Sequence, residues 1–346
     1  MKSLIVDQSG KLYFETLPQP KIDDHKALVK MEACGVCNGT DMKLIHRNFK
    51  NFSDYPAILG HEGVGRVVEK GERVTNLQIG DLVLLPFLEE SVGGFTPGWG
   101  AFSEYAVVGD AQAMIRDGKG PGTDYFQECY FAQQVVPERI AHADAVMIIT
   151  FREVLSAVRR FGFRENKNLV VFGAGPVGLC FIKFAKLLGL GPVIAFDIDD
   201  GKVAEARAMG ADYAFNSLKT DPVEAVLDIL PDRADFVVDA VGVNDLINQA
   251  MRMVKYNGKI CCYGISAKLD MTLDWSRAPY NWSLDFVQWP SKKEEAEAHG
   301  QILNWMDAGA LNPGDFISDV FPFEDVIRVF DMVENKKTNK KIVITF

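Results

Sequence analysis

The sequence lacks several features that would place it in a specialised class of protein. No stretch reaches the roughly 18 consecutive apolar residues of a membrane-spanning helix, and the first residues show no signal-peptide pattern. Basic residues are outnumbered, with 37 Lys and Arg against 47 Asp and Glu, and the formal net charge is −10. Nucleic acids and anionic membranes are bound mainly through clustered basic residues, so neither is expected as a partner. We therefore expect a cytoplasmic protein that binds a small molecule.

Cysteine is also scarce. Six cysteines are scattered over 346 residues, which favours free thiols or metal ligands over a disulfide framework. Two of them, Cys261 and Cys262, lie in the apolar run "KICCYG". A free cysteine packs as a small hydrophobic residue, so this pair is predicted to be buried in a strand.

The length predicts two packed units, because one hydrophobic core rarely serves 346 residues. Up to about residue 145 the chain shows short β-type runs separated by turns, which is typical of a largely antiparallel β unit. From about residue 150, apolar runs alternate with amphipathic helical stretches. That alternation predicts a parallel sheet with helices on both faces, and thus an α/β protein.

The last part of the chain predicts two helices and a strand. The helical stretches are "KEEAEAHGQILNWMDAG" and "EDVIRVFDMVENKK", and the chain ends in the β-type run "KIVITF". If this final strand pairs back with the N-terminal β unit, that unit is discontinuous in sequence.

A glycine turn in the α/β region predicts a dinucleotide site. The hexapeptide "GAGPVG" follows the strand "LVVF" and opens a helix, which is the context that gives this motif its meaning. Asp197 ends the next strand, where a carboxylate can bind the ribose 2′-OH and repel a 2′-phosphate, so NAD is favoured over NADP. The alternative is that Asp197 caps a helix. The predicted contacts of the turn are Gly173, Gly175, Pro176, Val177 and Gly178.

Two later strand ends are further candidates for the cofactor site. "AVG" (240–242) and "YGI" (263–265) end parallel strands, and open parallel sheets bind ligands at that edge. The predicted contacts are Val241, Gly242, Tyr263, Gly264 and Ile265.

A second glycine hexapeptide, "GHEGVG" (60–65), has a different context. No helical pattern follows it, so its interest lies in His61 and Glu62. Upstream, "EACGVCNGTD" places Cys34 and Cys37 at C-x-x-C spacing. Thiolate, imidazole and carboxylate together suit Zn²⁺. A thioredoxin-like redox pair is the competing interpretation, but it requires a βαβ context that this region lacks.

These motifs together resemble a known family. "CGVC…TD", "GHEGVG", "GDLV", "GAFSEY", "GAGPVG" and "KIVITF" occur in the order and approximate spacing of medium-chain zinc-dependent alcohol/polyol dehydrogenases of the sorbitol type. The resemblance covers nearly the whole chain. It implies a GroES-like catalytic domain (1–150 and 291–346), a Rossmann domain (151–290) and an active site in the cleft.

The resemblance also implies roles for individual residues. The implied zinc ligands are Cys37, His61 and, directly or through water, Glu62. Thr40 corresponds to the hydroxyl that takes the substrate proton, and Lys43 to a proton-relay position, although an exposed lysine there would equally suit a solvated surface. Lys341 corresponds to a contact with the cofactor phosphate.

The sequence departs from the family pattern in three places. "CNGTD" has one extra residue between Cys37 and Thr40, which could displace the thiolate or the hydroxyl. Ile149 stands where relatives often have another ligand; Glu153, one helical turn later, is either a replacement ligand or a helix-surface acid. Segment 86–105 has no cysteine, so a four-cysteine structural zinc site is not expected.

The favoured function is an NAD-dependent, zinc-dependent dehydrogenase of a secondary alcohol, such as a polyol or sugar. The resemblance also implies a homo-oligomer, either a dimer or a tetramer. A metal-free NAD(P)H-dependent quinone or enoyl reductase of the same fold would explain Ile149, but would leave Cys37, His61 and Glu62 without a shared purpose. A non-catalytic nucleotide-binding protein is the remaining alternative.

Overall fold

The computed structural model describes residues 1–266, 268–335 and 338–346. They form two compact units. The N-terminal unit comprises Met1–Thr150, Ser291–Leu303 and Asn312–Phe346. The central unit comprises Phe151–Pro290 and Asn304–Leu311. The sequence did not indicate that the short segment Asn304–Leu311 belongs with the central unit, because it continues a helical pattern that begins in the other unit.

The first 161 residues form nine strands and four helices. The strands are β1 (Lys2–Val6), β2 (Leu12–Thr16), β3 (Lys26–Val36), β4 (Ala57–Ile58), β5 (Gly63–Lys70), β6 (Leu82–Leu84), β7 (Thr96–Pro97), β8 (Tyr105–Gly109) and β9 (Val135–Val136). The helices are α1 (Thr40–Ile45), α2 (Ala111–Arg116), α3 (Cys129–Ala132) and α4 (His142–Phe161).

Strands and helices then alternate as far as residue 262, as the sequence predicts, and one more strand follows. They are β10 (Leu169–Phe172), α5 (Pro176–Leu187), β11 (Val193–Asp197), α6 (Asp200–Ala208), β12 (Tyr213–Asn216), α7 (Pro222–Ile229), β13 (Ala234–Asp239), α8 (Asn244–Met253), β14 (Val254–Cys262) and β15 (Trp282–Phe286). The last elements are α9 (Lys292–Asp307), β16 (Ile317–Pro322), α10 (Val326–Glu334) and β17 (Lys341–Thr345). The last two positions of the predicted helix "EDVIRVFDMVENKK", 336 and 337, lie outside the described residues.

The N-terminal unit contains two sheets. One has the strand order β2-β1-β4-β7, and the other has the order β16-β17-β3-β5-β6-β9, with β8 also paired to β3. Most pairs are antiparallel, although β4 pairs with β7 and β16 with β17 in parallel. Strand β17 pairs antiparallel with β3, which places Ile342 opposite Val36. The final strand therefore returns to the N-terminal sheet.

The central unit contains one parallel sheet of order β12-β11-β10-β13-β14-β15. This is the order of a doubly wound dinucleotide-binding fold, whose topological switch point lies between the first and fourth strands. Every residue of β10 and of β13 is buried, which explains their continuous apolar runs. Cys261 and Cys262 are buried in β14, as predicted.

The described residues include no helix that is both long enough and apolar enough to cross a membrane.

Candidate metal centre and cofactor turn

The structure brings three potential metal ligands together in the N-terminal unit. One ligand atom each from Cys37, His61 and Glu62 lies within 4.8 Å of the other two. The antiparallel pairing of β3 with β5 sets Cys34 opposite Gly63, so the residues just beyond these strand ends meet. Sulfur, nitrogen and oxygen donors at such distances fit Zn²⁺, which accepts mixed ligands in a tetrahedral site.

A buried carboxylate orients two of these residues. Asp41 has no exposed surface, and its carboxylate oxygens accept hydrogen bonds from the backbone N–H of Cys37 (2.9 Å) and from Nδ1 of His61 (3.0 Å). Nε2 of His61 is then the nitrogen near Glu62, 4.0 Å from its Oε1. Carboxylates that hold ligating histidines in this way fix the ring and its tautomer. The sequence showed an acid after the C-x-x-C motif but gave no sign of this contact.

The charges around His61 favour its protonated form. Burial opposes protonation, but the nearby Asp41 carboxylate and Cys37 sulfur raise the pKa of His61 well above its ordinary value. A histidine binds a metal ion only in its neutral form, so metal binding at His61 is expected to release a proton.

Only one cysteine of the C-x-x-C pair contributes to the group. Cys34 is fully buried in β3, and its thiol donates to the carbonyl oxygen of Gly35 at 3.6 Å. Burial raises the pKa of Cys34 well above that of a free thiol, which keeps it protonated. Cys34 and Cys37 are both free cysteines, and no βαβ unit surrounds them. The structure therefore gives no support to a thioredoxin-like pair.

The extra residue in "CNGTD" is accommodated by a helical turn. The backbone N–H of Asp41 donates to the carbonyl oxygen of Cys37 (3.1 Å), and α1 begins at Thr40. The backbone N–H of Thr40 lies 3.5 Å from the Cys37 sulfur. The insertion therefore leaves Thr40 beside the candidate ligand.

Glu62 forms a buried ion pair with Lys341. The ammonium of Lys341 lies 2.7 and 2.6 Å from the two carboxylate oxygens of Glu62, and both side chains are about 95% buried. Burial raises the pKa of Glu62, but Lys341 and His61 outweigh it, so the pKa is lowered. Gly35 makes room for the carboxylate, since a Cβ at this position would lie 2.3 Å from Oε2.

Lys341 thus has a different partner from the one the sequence suggested. The predicted contact with a cofactor phosphate stays a prediction, whereas the observed partner is Glu62. The position follows from β17, whose first residue is Lys341 and whose pairing with β3 carries it towards the candidate ligands.

Lys43 lies on α1 beside a surface groove. The groove is lined by Asn38, Gly39, Met42, Lys43, His46, Val333 and Glu334. Partial burial lowers the pKa of Lys43, and the nearby Cys37 sulfur opposes this only in part. The lysine is therefore a half-buried group next to solvent, rather than a fully solvated surface charge.

The glycine turn of the central unit has the geometry that the sequence predicts. Gly173 has φ +91°, a conformation that other residues rarely adopt, and a Cβ on Gly178 would lie 1.8 Å from the Gly173 carbonyl oxygen. A Cβ on Gly175 would meet no atom within 4 Å, so the backbone faces open space there. Helix α5 begins at Pro176, and Val177 follows in its first turn. Its free N–H groups suit a phosphate.

The carboxylate of Asp197 binds the backbone of the glycine turn. Its carboxylate accepts hydrogen bonds from the backbone N–H groups of Ala174 (2.8 Å) and Asp199 (3.1 Å). Helix α6 is capped by Asp199, whose side chain accepts from the N–H of Lys202. The helix-cap alternative for Asp197 is therefore wrong.

The ends of β13 and β14 meet the glycine turn at the same edge of the sheet. A Cβ on Gly173 would lie 2.7 Å from Cγ2 of Val241, and one on Gly264 would lie 2.1 Å from the backbone nitrogen of Gly242. A Cβ on Gly242 would lie 2.7 Å from the carbonyl carbon of Ile265. Segments 240–242 and 263–265 are thus in direct backbone contact.

The position of the missing family ligand holds a buried apolar side chain. Ile149 lies on α4 and is 2% exposed. Glu153, one turn later on α4, accepts a hydrogen bond from the hydroxyl of Tyr263 at 2.6 Å. Among the described residues, the group that could hold a metal ion consists of Cys37, His61 and Glu62, without a fourth ligand. A ligand role for Glu153 therefore stays a prediction.

Comparisons with known proteins agree with this fold and site. The chain matches the family models Alcohol dehydrogenase GroES-like domain (residues 23–116) and Zinc-binding dehydrogenase (residues 176–282). An alcohol dehydrogenase of Geobacillus stearothermophilus is 29% identical over 356 residues, covering 99% of this chain and 98% of that protein. A sorbitol dehydrogenase of Bacillus subtilis (strain 168) is 26% identical over 280 residues, covering 79% of this chain and 78% of that protein.

A solved structure shows the same fold. Alcohol dehydrogenase TADH from Thermus sp. ATN1 matches with a TM-score of 0.81 at 21% identity, covering 100% of this chain and 99% of that one. The two family models together span more than half of the chain, which belongs to the zinc-dependent medium-chain dehydrogenase superfamily. The predicted α/β class, with a GroES-like domain and a Rossmann domain, is confirmed.

Asp41→Asn is expected to weaken zinc binding by about 10-fold to 100-fold, because the variant loses the charge that orients His61. Competition with a chromogenic chelator measures the affinity. Asp54→Asn, at an exposed position, is the matched control and should bind zinc normally. Equal zinc affinity in the two variants would contradict the role assigned to Asp41.

Lys341→Met is expected to lower the free energy of unfolding of the N-terminal unit by about 3–5 kcal/mol, since it leaves the Glu62 carboxylate buried without its partner. Urea unfolding followed by fluorescence measures the change. The double variant Lys341→Met/Glu62→Gln removes both charges and should recover part of the loss. If Lys341→Met were as stable as the unsubstituted protein, Lys341 would not be needed to offset the buried charge of Glu62.

Proposed function

We propose that the protein is an NAD-dependent alcohol or polyol dehydrogenase with one catalytic zinc ion and no structural zinc. The observation that carries the proposal is the convergence of Cys37, His61 and Glu62 on one point. Its relatives named alcohol dehydrogenase and sorbitol dehydrogenase support an alcohol as substrate class. Segment 86–105 has no cysteine with which to build a four-cysteine site.

Cys37 and His61 would hold the metal, with Glu62 as a direct or water-linked ligand. Zinc supplies Lewis acidity towards a hydroxyl oxygen, and NAD supplies the hydride acceptor. Asp41 keeps the imidazole of His61 oriented throughout, since its carboxylate holds Nδ1. Lys341 balances the charge of Glu62, so the group carries less negative charge than its ligands alone would give it.

Thr40 and Lys43 would carry the substrate proton away. Thr40 is 4% exposed and lies beside Cys37, so its hydroxyl Oγ1 is shielded from bulk water. Lys43 lies three residues later on α1 and lines the surface groove, with a pKa lowered by burial. A lysine with a lowered pKa releases a proton more readily, which suits an outlet to solvent.

The glycine turn and the two neighbouring strand ends would hold the cofactor. Open space at Gly175 lets a pyrophosphate approach the backbone, and the N-terminus of α5 provides N–H donors. Asp197 lies at the end of β11, where it can accept hydrogen bonds from a ribose and repel a 2′-phosphate.

We further propose that the protein forms a homodimer or homotetramer. Light scattering in solution would measure the molar mass and so test this proposal.

The test of the function combines metal analysis with a substrate screen. Protein made with zinc available should contain about one zinc ion per chain, and it should reduce NAD⁺ with at least one secondary alcohol or polyol. A strong chelator should abolish that activity, and zinc should restore it. Zinc-free protein that reduces quinones or activated double bonds would instead favour the metal-free reductase.

Asp197→Ala is expected to weaken NADH binding by about 10-fold to 100-fold and to narrow the discrimination against NADPH, because the proposed hydrogen bond between its charged carboxylate and the ribose is lost. Fluorescence titration with each cofactor gives the two dissociation constants. Asp228→Ala, at an exposed position on α7, is the control and should leave both unchanged. An unaltered NADH to NADPH ratio in Asp197→Ala would rule out this carboxylate as the discriminating group.

A further inference from the structure

Glu153 and Tyr263 form a hydrogen-bonded pair inside the central unit. The hydroxyl of Tyr263 donates to Oε1 of Glu153 at 2.6 Å, a distance typical of a strong bond to a carboxylate. Tyr263 is 7% exposed and stands directly after β14, whereas Glu153 lies on α4. The hydrogen bond therefore links the carboxyl end of β14 to α4.

Tyr263 is the first residue of a tightly held segment. The backbone N–H groups of Tyr263 and Gly264 both donate to the carbonyl oxygen of Asp239, at 3.0 and 2.9 Å. The Gln288 side chain donates to the carbonyl oxygen of Gly264 at 2.7 Å. Displacing Tyr263 would therefore displace segment 263–265, which touches the backbone of 240–242.

The Tyr263 ring also contacts the helix that begins at the glycine turn. It packs edge-on against Phe181 of α5, with 5.2 Å between ring centroids. The tyrosine thus touches α5, α4 and the end of β14 at once. The hydrogen bond to Glu153 holds the hydroxyl end of the side chain, and so the direction in which the ring extends from the backbone.

We propose that Glu153 is a positioning residue for the cofactor: through Tyr263 it holds segment 263–265 in the arrangement that binds the nicotinamide end of NAD. This inference rests on the proposed function, since it needs the cofactor to lie along the carboxyl ends of β10, β13 and β14. It gives the Glu153 carboxylate a purpose other than completing the metal site, and it accounts for an acid one turn after the apolar Ile149.

Four variants test the pair. Glu153→Gln keeps an oxygen that accepts the tyrosine hydrogen bond but is a poor zinc ligand; Glu153→Met removes the acceptor; Tyr263→Phe removes the donor; and Glu153→Met/Tyr263→Phe removes both. Tyr213→Phe, which alters a partly exposed tyrosine of the same unit, is the control. The readouts are NADH affinity by fluorescence titration, zinc content by elemental analysis, KM for NAD⁺ against kcat, and thermal unfolding.

We expect Glu153→Gln and Tyr213→Phe to bind NADH within about 2-fold of the unsubstituted protein. Glu153→Met and Tyr263→Phe should each weaken NADH binding by about 10-fold, and the double variant should be no weaker than either, because all three lose the same bond. KM for NAD⁺ should rise more than kcat falls, and zinc content should stay the same throughout.

Three results would overturn the inference. Loss of zinc from folded Glu153→Gln would show that the carboxylate is a metal ligand. Unchanged NADH affinity in folded Tyr263→Phe would show that the bond does not position the cofactor, and this nearly isosteric variant decides the question should Glu153→Met not fold. Effects that add in the double variant would show two independent roles. Failure of the unsubstituted protein to bind NADH would instead contradict the proposed function itself.

Discussion

The buried ion pair between Lys341 and Glu62 ties the candidate metal centre to the last strand of the chain. Two charges removed from water each cost several kcal/mol unless they compensate one another, so the lysine and the carboxylate depend on each other. Strand β3 pairs with β17 on one side and with β5 on the other. It thereby assembles Cys37, the His61 and Glu62 pair, and Lys341 from three separate parts of the sequence.

The two glycine hexapeptides serve different physical purposes. In "GAGPVG" the absence of side chains matters, because the Gly173 carbonyl occupies the space that a Cβ on Gly178 would need. In "GHEGVG" the side chains of His61 and Glu62 matter, and each contacts a buried charged residue. Asp41 binds the imidazole of His61, and Lys341 forms an ion pair with the carboxylate of Glu62. Similar hexapeptides thus serve the proposed phosphate site in one unit and the candidate metal centre in the other.

The fold and the donor atoms of the site were largely predictable from the sequence, whereas their partners were not. The turn at Gly173 and the ends of β13 and β14 follow from local pattern, and the structure places them together at one edge of the sheet. Asp41 was missed because its contact with His61 spans 20 residues of sequence. The family resemblance placed Lys341 at a cofactor phosphate, and nothing in the chain near it indicates that Glu62 lies within 3 Å.

The sequence by itself determined the alternation of strands and helices, the glycine turn, and the supply of sulfur, nitrogen and oxygen donors, because these depend on residue type and short spacing. Only the tertiary structure decided which cysteine of the C-x-x-C pair lies in the candidate metal centre, which acid orients His61, and which residue binds Glu153. Those choices depend on distances through space, and the register of β3 against β5 and β17 and the packing of α4 against the end of β14 set those distances. The physical reason is that a buried charge or hydroxyl takes whichever partner the fold brings within hydrogen-bonding distance, however far apart the two lie in the chain.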